Sequence, residues 1–193
     1  MTSKAKTSPG LLSAIPLPVR IGAVLIVFAF SSVATFFYAN RAKPKALAER
    51  EPLLLADFEN RTNEASWDSI LKPALVEALR LSPYLNPVPD EQVRETLRQM
   101  NRSETEPITR KLGRDICERR KVRALLTGTL VKLGLSYAIT LEVINVQRDE
   151  TLARVIEEAN GRGDVEAALR RATRILRGKL GESAASLQRY DTP

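Results

Sequence analysis

Two carboxylates two residues apart follow a short apolar run near the middle of the first half of the chain. In the stretch LLLADFENRT, Asp57 and Glu59 follow three leucines and an alanine. At this spacing on a strand their side chains would point to the same face, where paired carboxylates can bind Mg²⁺ or act as acid and base. Polar residues at the carboxyl end of a buried strand are also typical of ligand sites in α/β sheets.

The rest of the chain gives these carboxylates little catalytic support. It contains no histidine, which excludes His-based triads and His-ligated zinc sites. No glycine-rich phosphate loop and no Walker-type lysine follow the apolar run. Structural or partner-facing roles are therefore favoured, and we predict no catalytic residue, no metal and no cofactor. The predicted recognition edge consists of Asp57, Glu59, Asn60, Arg61 and Trp67.

The single cysteine is predicted to be structural. One thiol cannot form an internal disulfide, so it says little about the redox compartment. Cys117 lies beside the helical apolar stripe of Ile108, Leu112 and Ile116. This position favours a semi-buried helix cysteine over a reactive thiol.

The positive charge of the chain is concentrated in its first quarter. The formal net charge is +7, and residues 1–51 hold seven Lys and Arg against two Glu. A later basic run could contact phosphates, but it lacks the interleaved aromatic residues of single-strand binders. We predict no nucleic-acid partner, and a cytoplasm-facing nucleic-acid binder is the least favoured alternative. The run consists of Arg110, Lys111, Arg114, Arg119, Arg120, Lys121 and Arg123.

An uncharged apolar segment at residues 21–39 predicts one transmembrane helix. Its length matches a hydrocarbon core of about 30 Å, and Phe36, Phe37 and Tyr38 resemble an interfacial aromatic belt. A cleaved signal peptide is the alternative, but bulky aromatic residues near the cut fit poorly. Residues 1–20 would then be a cytoplasmic tail and residues 40–51 a linker. Basic residues on both sides nearly balance, so charge alone does not decide the orientation.

The remaining residues, 52–190, predict a mixed-sheet α/β domain with the order β-α-β-α-α-β-β-β-α. The first two strands are expected to be parallel, and the last three to form an antiparallel meander. Asp90 and Asp164 are predicted helix caps, and Pro107 is predicted in a first helical turn. The last helix carries a basic face that we predict to meet a membrane or a partner, formed by Arg170, Arg174 and Arg177.

Five ordered blocks of the sequence share one further property. They are LLLADFENRT, LVEALRLSPYLNPVPDEQVRETLRQM, ITRKLGRDIC, ALLTGTLVKLGLSYAITLEVINV and KLGESAASLQRYDTP. Together they resemble a module of bacterial, especially acidobacterial, eukaryotic-like Ser/Thr protein kinases. In those proteins the module lies between a transmembrane helix and tetratricopeptide repeats, and it looks like a TolB amino-terminal or FlgO type α/β domain. The resemblance covers about residues 51–193.

The resemblance implies a binding module outside the bacterial inner membrane. No kinase motif and no tetratricopeptide repeat is present in the sequence. We predict a single-pass, membrane-anchored accessory or sensor module that engages a protein partner or an envelope ligand in the periplasm. The alternative is a truncated or split portion of a membrane Ser/Thr kinase that acts in signal transduction.

Overall fold

The computed structural model describes residues 50–190, which form a six-stranded mixed sheet with helices on both faces. The α-helices are α1 (Leu71–Arg80), α2 (Asp90–Gln99), α3 (Arg110–Arg120), α4 (Val165–Lys179) and α5 (Ala184–Tyr190). Two short 3-10 helices occupy Ala65–Ser69 and Arg162–Asp164. The strands are β1 (Glu51–Leu55), β2 (Glu59–Arg61), β3 (Leu85–Pro87), β4 (Ala124–Leu133), β5 (Ser136–Asn145) and β6 (Glu150–Ala159).

The strands lie in the order β3-β1-β4-β5-β6, and β2 pairs with β4 beyond the end of β1. Strand β1 is parallel to β3 and to β4, whereas β4, β5 and β6 are antiparallel. A two-residue loop joins β4 to β5, and its first residue, Gly134, has a φ of 64°, as a type II′ hairpin requires. The predicted mixed sheet, parallel first pair and antiparallel meander are confirmed.

A bulge separates β1 from β2. Leu55 pairs with Leu126 and Glu59 pairs with Thr129, so β1 and β2 together contain one residue more than β4 over this span. The extra residue leaves Asp57 and Phe58 outside the ladder, as bulges beside functional sites often do. The predicted shared strand face of Asp57 and Glu59 is therefore wrong, because Asp57 does not lie on a strand.

One face of the sheet, which we call the closed face, is covered by α1 and α4. Alternate residues of β4 and β5 point into this core, since side chains alternate between the two faces of a strand. Its largest aromatic residue is Trp67, which is 3% exposed. The strand residues of the closed face include Leu126, Leu130, Tyr137, Ile139, Leu141 and Val155, all buried.

The opposite face is only partly covered, and we call its uncovered part the open face. Helices α2 and α3 pack on the end of the sheet that carries Leu54, Leu125 and Val146. Beyond them, β4, β5 and β6 present half-exposed residues and one isoleucine, Ile156, that is 63% exposed. The open face consists of Thr127, Thr129, Val131, Ala138, Thr140 and Ile156.

Helix boundaries differ in detail from the predictions. Asp90 begins α2 but does not cap it, because the N-cap is Pro89. The side chain of Thr109 caps α3 by accepting from the N–H of Leu112 at 3.2 Å, so Pro107 lies before the helix. Asp164 is the N-cap residue of α4, but its side chain accepts no hydrogen bond from a backbone N–H of that helix.

Cys117 is buried on α3, as predicted. Its side chain is fully buried, and burial, with a smaller effect of the Glu118 charge, raises the pKa of the thiol to about 12. A thiol with this pKa holds almost no thiolate at neutral pH, which agrees with a structural role.

No helix within residues 50–190 combines the length and the apolar character that a membrane span needs. The predicted transmembrane helix at residues 21–39 lies outside the described residues, as do the predicted tail and nearly all of the linker.

Candidate functional site

A cleft of about 510 Å³ opens beside the bulge between β1 and β2. Its floor is part of the open face, and its two walls are the bulge and the start of α3. The cleft therefore lies at the carboxyl end of β1, where ligands bind in many open α/β sheets. Its lining consists of Ala56–Glu59, Pro107–Lys111, Thr127–Thr129, Thr140 and Glu142.

Asp57 joins the two walls of the cleft. Its carboxylate accepts from the backbone N–H of Ile108 at 2.6 Å and from the Lys72 ammonium at 2.6 Å. Its own backbone N–H donates to the carbonyl of Ile108 at 2.9 Å. These bonds bring the bulge, the segment before α3 and helix α1 together. Asp57 thus positions the cleft, and both of its carboxylate oxygens already have donors.

Phe58 connects the cleft to the closed-face core. An ideal Cβ placed on Gly128 would lie 2.5 Å from Cε1 of the Phe58 ring, closer than real Cβ atoms approach another atom. The ring therefore occupies the space that a side chain at position 128 would need. Because Phe58 also packs against the closed-face core, a change at Gly128 would move both the core and the cleft wall.

A buried carboxylate closes one end of the cleft. Glu142 is 5% exposed at its side chain and pairs with Arg154 and, at 3.0 Å, with Arg110. The Thr151 hydroxyl donates to it at 2.9 Å. Burial alone would raise the pKa of Glu142, but the hydrogen bonds from Arg154 and Thr151 and the Arg110 charge outweigh burial and lower it. This carboxylate is therefore ionised and fully partnered at neutral pH.

The cleft mouth carries charges of both signs and two unused hydroxyls. Glu59 pairs with Arg61 at 2.6 Å on one wall, and exposed Lys111 lies on the other. On the floor, Thr129 and Thr140 lie opposite each other on β4 and β5. Within residues 50–190 neither hydroxyl has a hydrogen-bond partner, so both are free to meet a ligand.

Two members of the predicted recognition edge are engaged in contacts within the domain, Asn60 half-buried and Trp67 buried. Asn60 donates to the carbonyl of Glu64 and to Asp68, and it accepts from Thr62, so it holds the turn before the first 3-10 helix. Trp67 packs edge-to-face on Tyr137, with ring centroids 6.0 Å apart. Asp57 and Glu59 line the cleft, and their role in recognition stays a prediction.

A carboxylate hub that the sequence analysis missed holds Trp67 in place. Glu64 accepts from the Lys132 ammonium and the Tyr137 hydroxyl, both at 2.7 Å. It also accepts from the Trp67 indole at 3.2 Å and from Arg162 at 2.8 Å. The Lys132 and Tyr137 hydrogen bonds lower the pKa of Glu64 to about 2. Its partners are spread across the chain, so no local motif indicates this hub.

The predicted basic face on α4 needs one correction. Arg177 is 1% exposed and forms a bidentate pair with Glu182, at 2.9 and 2.7 Å, so it cannot meet a membrane or a partner. Ser82 and Ser186 also donate to Glu182. Arg170 and Arg174 are exposed on α4, and their predicted role stays a prediction.

Several residues of the basic run around α3 form intramolecular hydrogen bonds and ion pairs. Arg114 pairs with Asp149, Arg123 pairs with Glu51 at 2.6 Å, and Arg119 donates to the carbonyl of Gln99. In the described part of the chain, no group of three or more Cys, Asp and Glu side chains is arranged to hold a metal ion. The absence of a nucleic-acid partner stays a prediction.

Comparisons with known proteins find similar structures but no match by sequence. No protein-family model matches the chain, and no curated protein matches it. The LpoB C-terminal domain from Escherichia coli is 17% identical over 67% of this chain and 93% of that chain, with a TM-score of 0.46. The PelC dodecamer from Paraburkholderia phytofirmans is 15% identical over 74% of this chain and 95% of that chain, with a TM-score of 0.46.

TolB from Acinetobacter baumannii is 12% identical over 70% of this chain and 28% of that chain, with a TM-score of 0.43. A TolB structure thus stands among those similar to the described domain, whereas the association with Ser/Thr kinases stays a prediction. Identities and TM-scores this low support no inference about what this chain binds.

Proposed function

We propose that the chain is a membrane-anchored binding module, without catalytic activity of its own, that engages a protein partner or an envelope ligand at the cleft. The observation that carries this proposal is an open cleft of about 510 Å³ whose three carboxylates, Asp57, Glu59 and Glu142, all have cation partners. A general acid or base must exchange a proton with the reacting atom, and Asp57 and Glu142 are already committed to protein contacts. Recognition needs only a shaped surface with a few placed polar groups.

The chemistry of the cleft suits a polypeptide segment. The free hydroxyls of Thr129 and Thr140 can donate to a carbonyl or accept from an amide. Glu59 and Lys111 offer opposite charges on the two walls, and Phe58 adds apolar surface. A segment of a partner protein carries amides, charges and apolar groups together, so it can use all of these features.

The position of the module at a membrane rests on the sequence. The apolar segment at residues 21–39 supports a single inner-membrane span, and the short linker at residues 40–51 would hold the domain near the bilayer. The resemblance to kinase-associated modules supports a periplasmic domain. In this arrangement the exposed arginines of α4, Arg170 and Arg174, could meet anionic headgroups or an acidic partner.

A second candidate function follows from the same resemblance: the chain is a portion of a membrane Ser/Thr kinase system with tetratricopeptide repeats. It would then receive a signal outside the membrane for a kinase encoded separately. A kinase reading frame with its repeats immediately beside the gene would favour this candidate. An isolated gene would favour a stand-alone accessory module.

The orientation can be tested with alkaline phosphatase fused after Pro193, since this enzyme is active only after export. High phosphatase activity is expected, at an expression level checked by immunoblot. A well-expressed but inactive fusion would contradict the periplasmic position. This outcome would not bear on binding at the cleft, which crosslinking tests separately.

The cleft can be tested in cells by site-specific photo-crosslinking in the full chain. A photoreactive residue replacing Glu59 should give a discrete crosslinked product, whereas the same residue replacing exposed Glu77 on α1 should not. Thr129→Trp fills the floor and should remove the product. A product that persists in Thr129→Trp, or that forms equally from both positions, would contradict binding at the cleft.

A further inference from the structure

The outer edge of the sheet at β6 has unusual hydrogen bonding. Among the described strands, β6 pairs with β5 alone, so its other side is an open edge ten residues long. Residues 154, 156 and 158 direct their backbone groups to this edge, because the alternate residues bond to β5. Such an edge is a template for pairing with another strand.

Two side chains of α4 occupy this edge. The Lys179 ammonium donates to the carbonyl of Arg154 at 2.7 Å, and the Arg171 guanidinium donates to the carbonyl of Glu158 at 3.0 Å. The two carbonyls lie on either side of Ile156, whose side chain is 63% exposed. We call these two hydrogen bonds the edge caps.

The edge is self-complementary. If two copies of β6 pair antiparallel about a two-fold axis at Ile156, Ile156 meets Ile156 and Arg154 faces Glu158 of the partner, twice. The carbonyls of Arg154 and Glu158 would then accept from the partner strand. These are the two carbonyls that the edge caps occupy, so the caps and a partner strand compete for the same acceptors.

We propose that β6 is a docking edge for a second copy of this chain and that Lys179 and Arg171 keep it closed in the structure described here. Both side chains are exposed, and Arg171 also pairs with Asp164 and Glu157, so their bonds to the strand edge can be exchanged for backbone bonds from a partner strand. One observation carries the proposal. The two carbonyls that the caps occupy belong to Arg154 and Glu158, the same two residues whose opposite charges would face each other across the two-fold axis at Ile156. This inference does not depend on the function proposed for the cleft.

The first experiment removes the edge caps while keeping the aliphatic side chains. The full chain in detergent, as Arg171→Met/Lys179→Met, should show a higher dimer fraction than the unaltered chain by light scattering after size exclusion. Arg170→Met/Arg174→Met is the matched control, since it removes the same charge from α4 but leaves both edge caps. A folded, capless variant with an unchanged dimer fraction would overturn the proposal.

Two further variants report the pairing itself. Glu158→Arg, added to the capless variant, would place like charges opposite Arg154 and should restore the lower dimer fraction. Persistence of the dimer would mean that another surface pairs, and the proposal would be wrong.

Crosslinking gives an independent measurement if the double variant does not fold. In a Cys117→Ala background, Ile156→Cys should form an intermolecular disulfide several-fold faster with Lys179→Met than with Lys179 intact. Opposed residues in a bonded antiparallel pair have Cα atoms about 5.5 Å apart, which a disulfide can span. Equal rates would contradict the proposed closing role of the caps.

Discussion

The same strands contribute side chains to both faces of the sheet, but the two faces differ in how deeply those side chains are buried. On β4, Leu126 and Leu130 point to the closed face and are at most 1% exposed, whereas Thr127 and Thr129 point to the open face and are half-exposed. The closed face is covered by α1 and α4, and its boundary is fixed by polar clusters centred on Glu64 and Glu182. The open face ends in the cleft.

This difference separates the residues that stabilise the fold from the residues that are available for recognition. The larger apolar core and the buried Arg177–Glu182 pair lie on the closed side, where a change costs packing or leaves a charge without its partner. Apart from the buried carboxylate of Glu142, the open side carries hydroxyls and surface ion pairs, which contribute little to folding. A protein with this division can vary its cleft without losing its fold.

The largest expected effect is on the buried ion pair of the closed side. Glu182→Ala would leave Arg177, which is 1% exposed, without its bidentate partner. Removing one member of a buried pair destabilises by about 3–5 kcal/mol. The free energy of unfolding of the full chain in detergent can be followed by the fluorescence of Trp67, the single tryptophan.

The double variant Arg177→Met/Glu182→Leu is the control for this prediction. It replaces both charges with apolar groups, so it should be less destabilising than Glu182→Ala alone. A Glu182→Ala protein as stable as the unaltered chain would show that solvent reaches Arg177.

The next effect concerns the contact between core and cleft. Gly128→Ala would place a Cβ 2.5 Å from the Phe58 ring, and overpacking of this kind costs about 1–3 kcal/mol. Gly163→Ala is the matched control, because nothing lies within 4 Å of a Cβ at that position. Thermal unfolding should separate the two variants. A Gly128→Ala protein that unfolds like Gly163→Ala would show that Phe58 is not held against position 128.

The third prediction concerns the stability of the protein at acidic pH. The folded-state pKa of Glu64 is about 2, below its ordinary value of 4.5. Its contribution to stability is therefore present above pH 4.5 and is lost as the pH falls toward 2, where the carboxylate takes up a proton. Glu64→Gln should flatten this part of the stability–pH curve, measured by Trp67 fluorescence. An unchanged slope would assign the acid sensitivity to other carboxylates.

Local patterns predicted most of the fold and only part of the site. Alternation in β4 and β5 and the helical stripes of α1 and α4 depend on residues close in sequence, so the order of the main elements followed from them, whereas the short elements β2 and α5 were not predicted. The bulge at Asp57 depends on its register with β4, and the partners of Glu64 are as far apart as Lys132 and Arg162. Such contacts are set by the tertiary fold and leave no local signal.

The prediction that Arg177 lies on an exposed face was wrong because its partner is also set by the tertiary fold. Its position among the arginines of α4 indicates a solvated face, but the chain turns after Lys179 and brings Glu182 back onto it. Trp67 is likewise predicted in the recognition edge, but its side chain lies in the core. Its hydrogen-bond and cation–π partners, Glu64 and Arg162, are far apart in the sequence.

The smallest expected effect is on the open face, and it is the one that separates folding from binding. Thr129→Val removes a half-exposed hydroxyl that has no partner within residues 50–190, so unfolding should change by less than about 0.5 kcal/mol. Leu130→Ala, one residue further along β4 but fully buried, should cost about 2–5 kcal/mol in the same assay. If Thr129→Val also weakens crosslinking from position 59, the hydroxyl acts in recognition. A loss of stability close to that of Leu130→Ala would instead make the floor of the cleft part of the core, and the division between the two faces would fail.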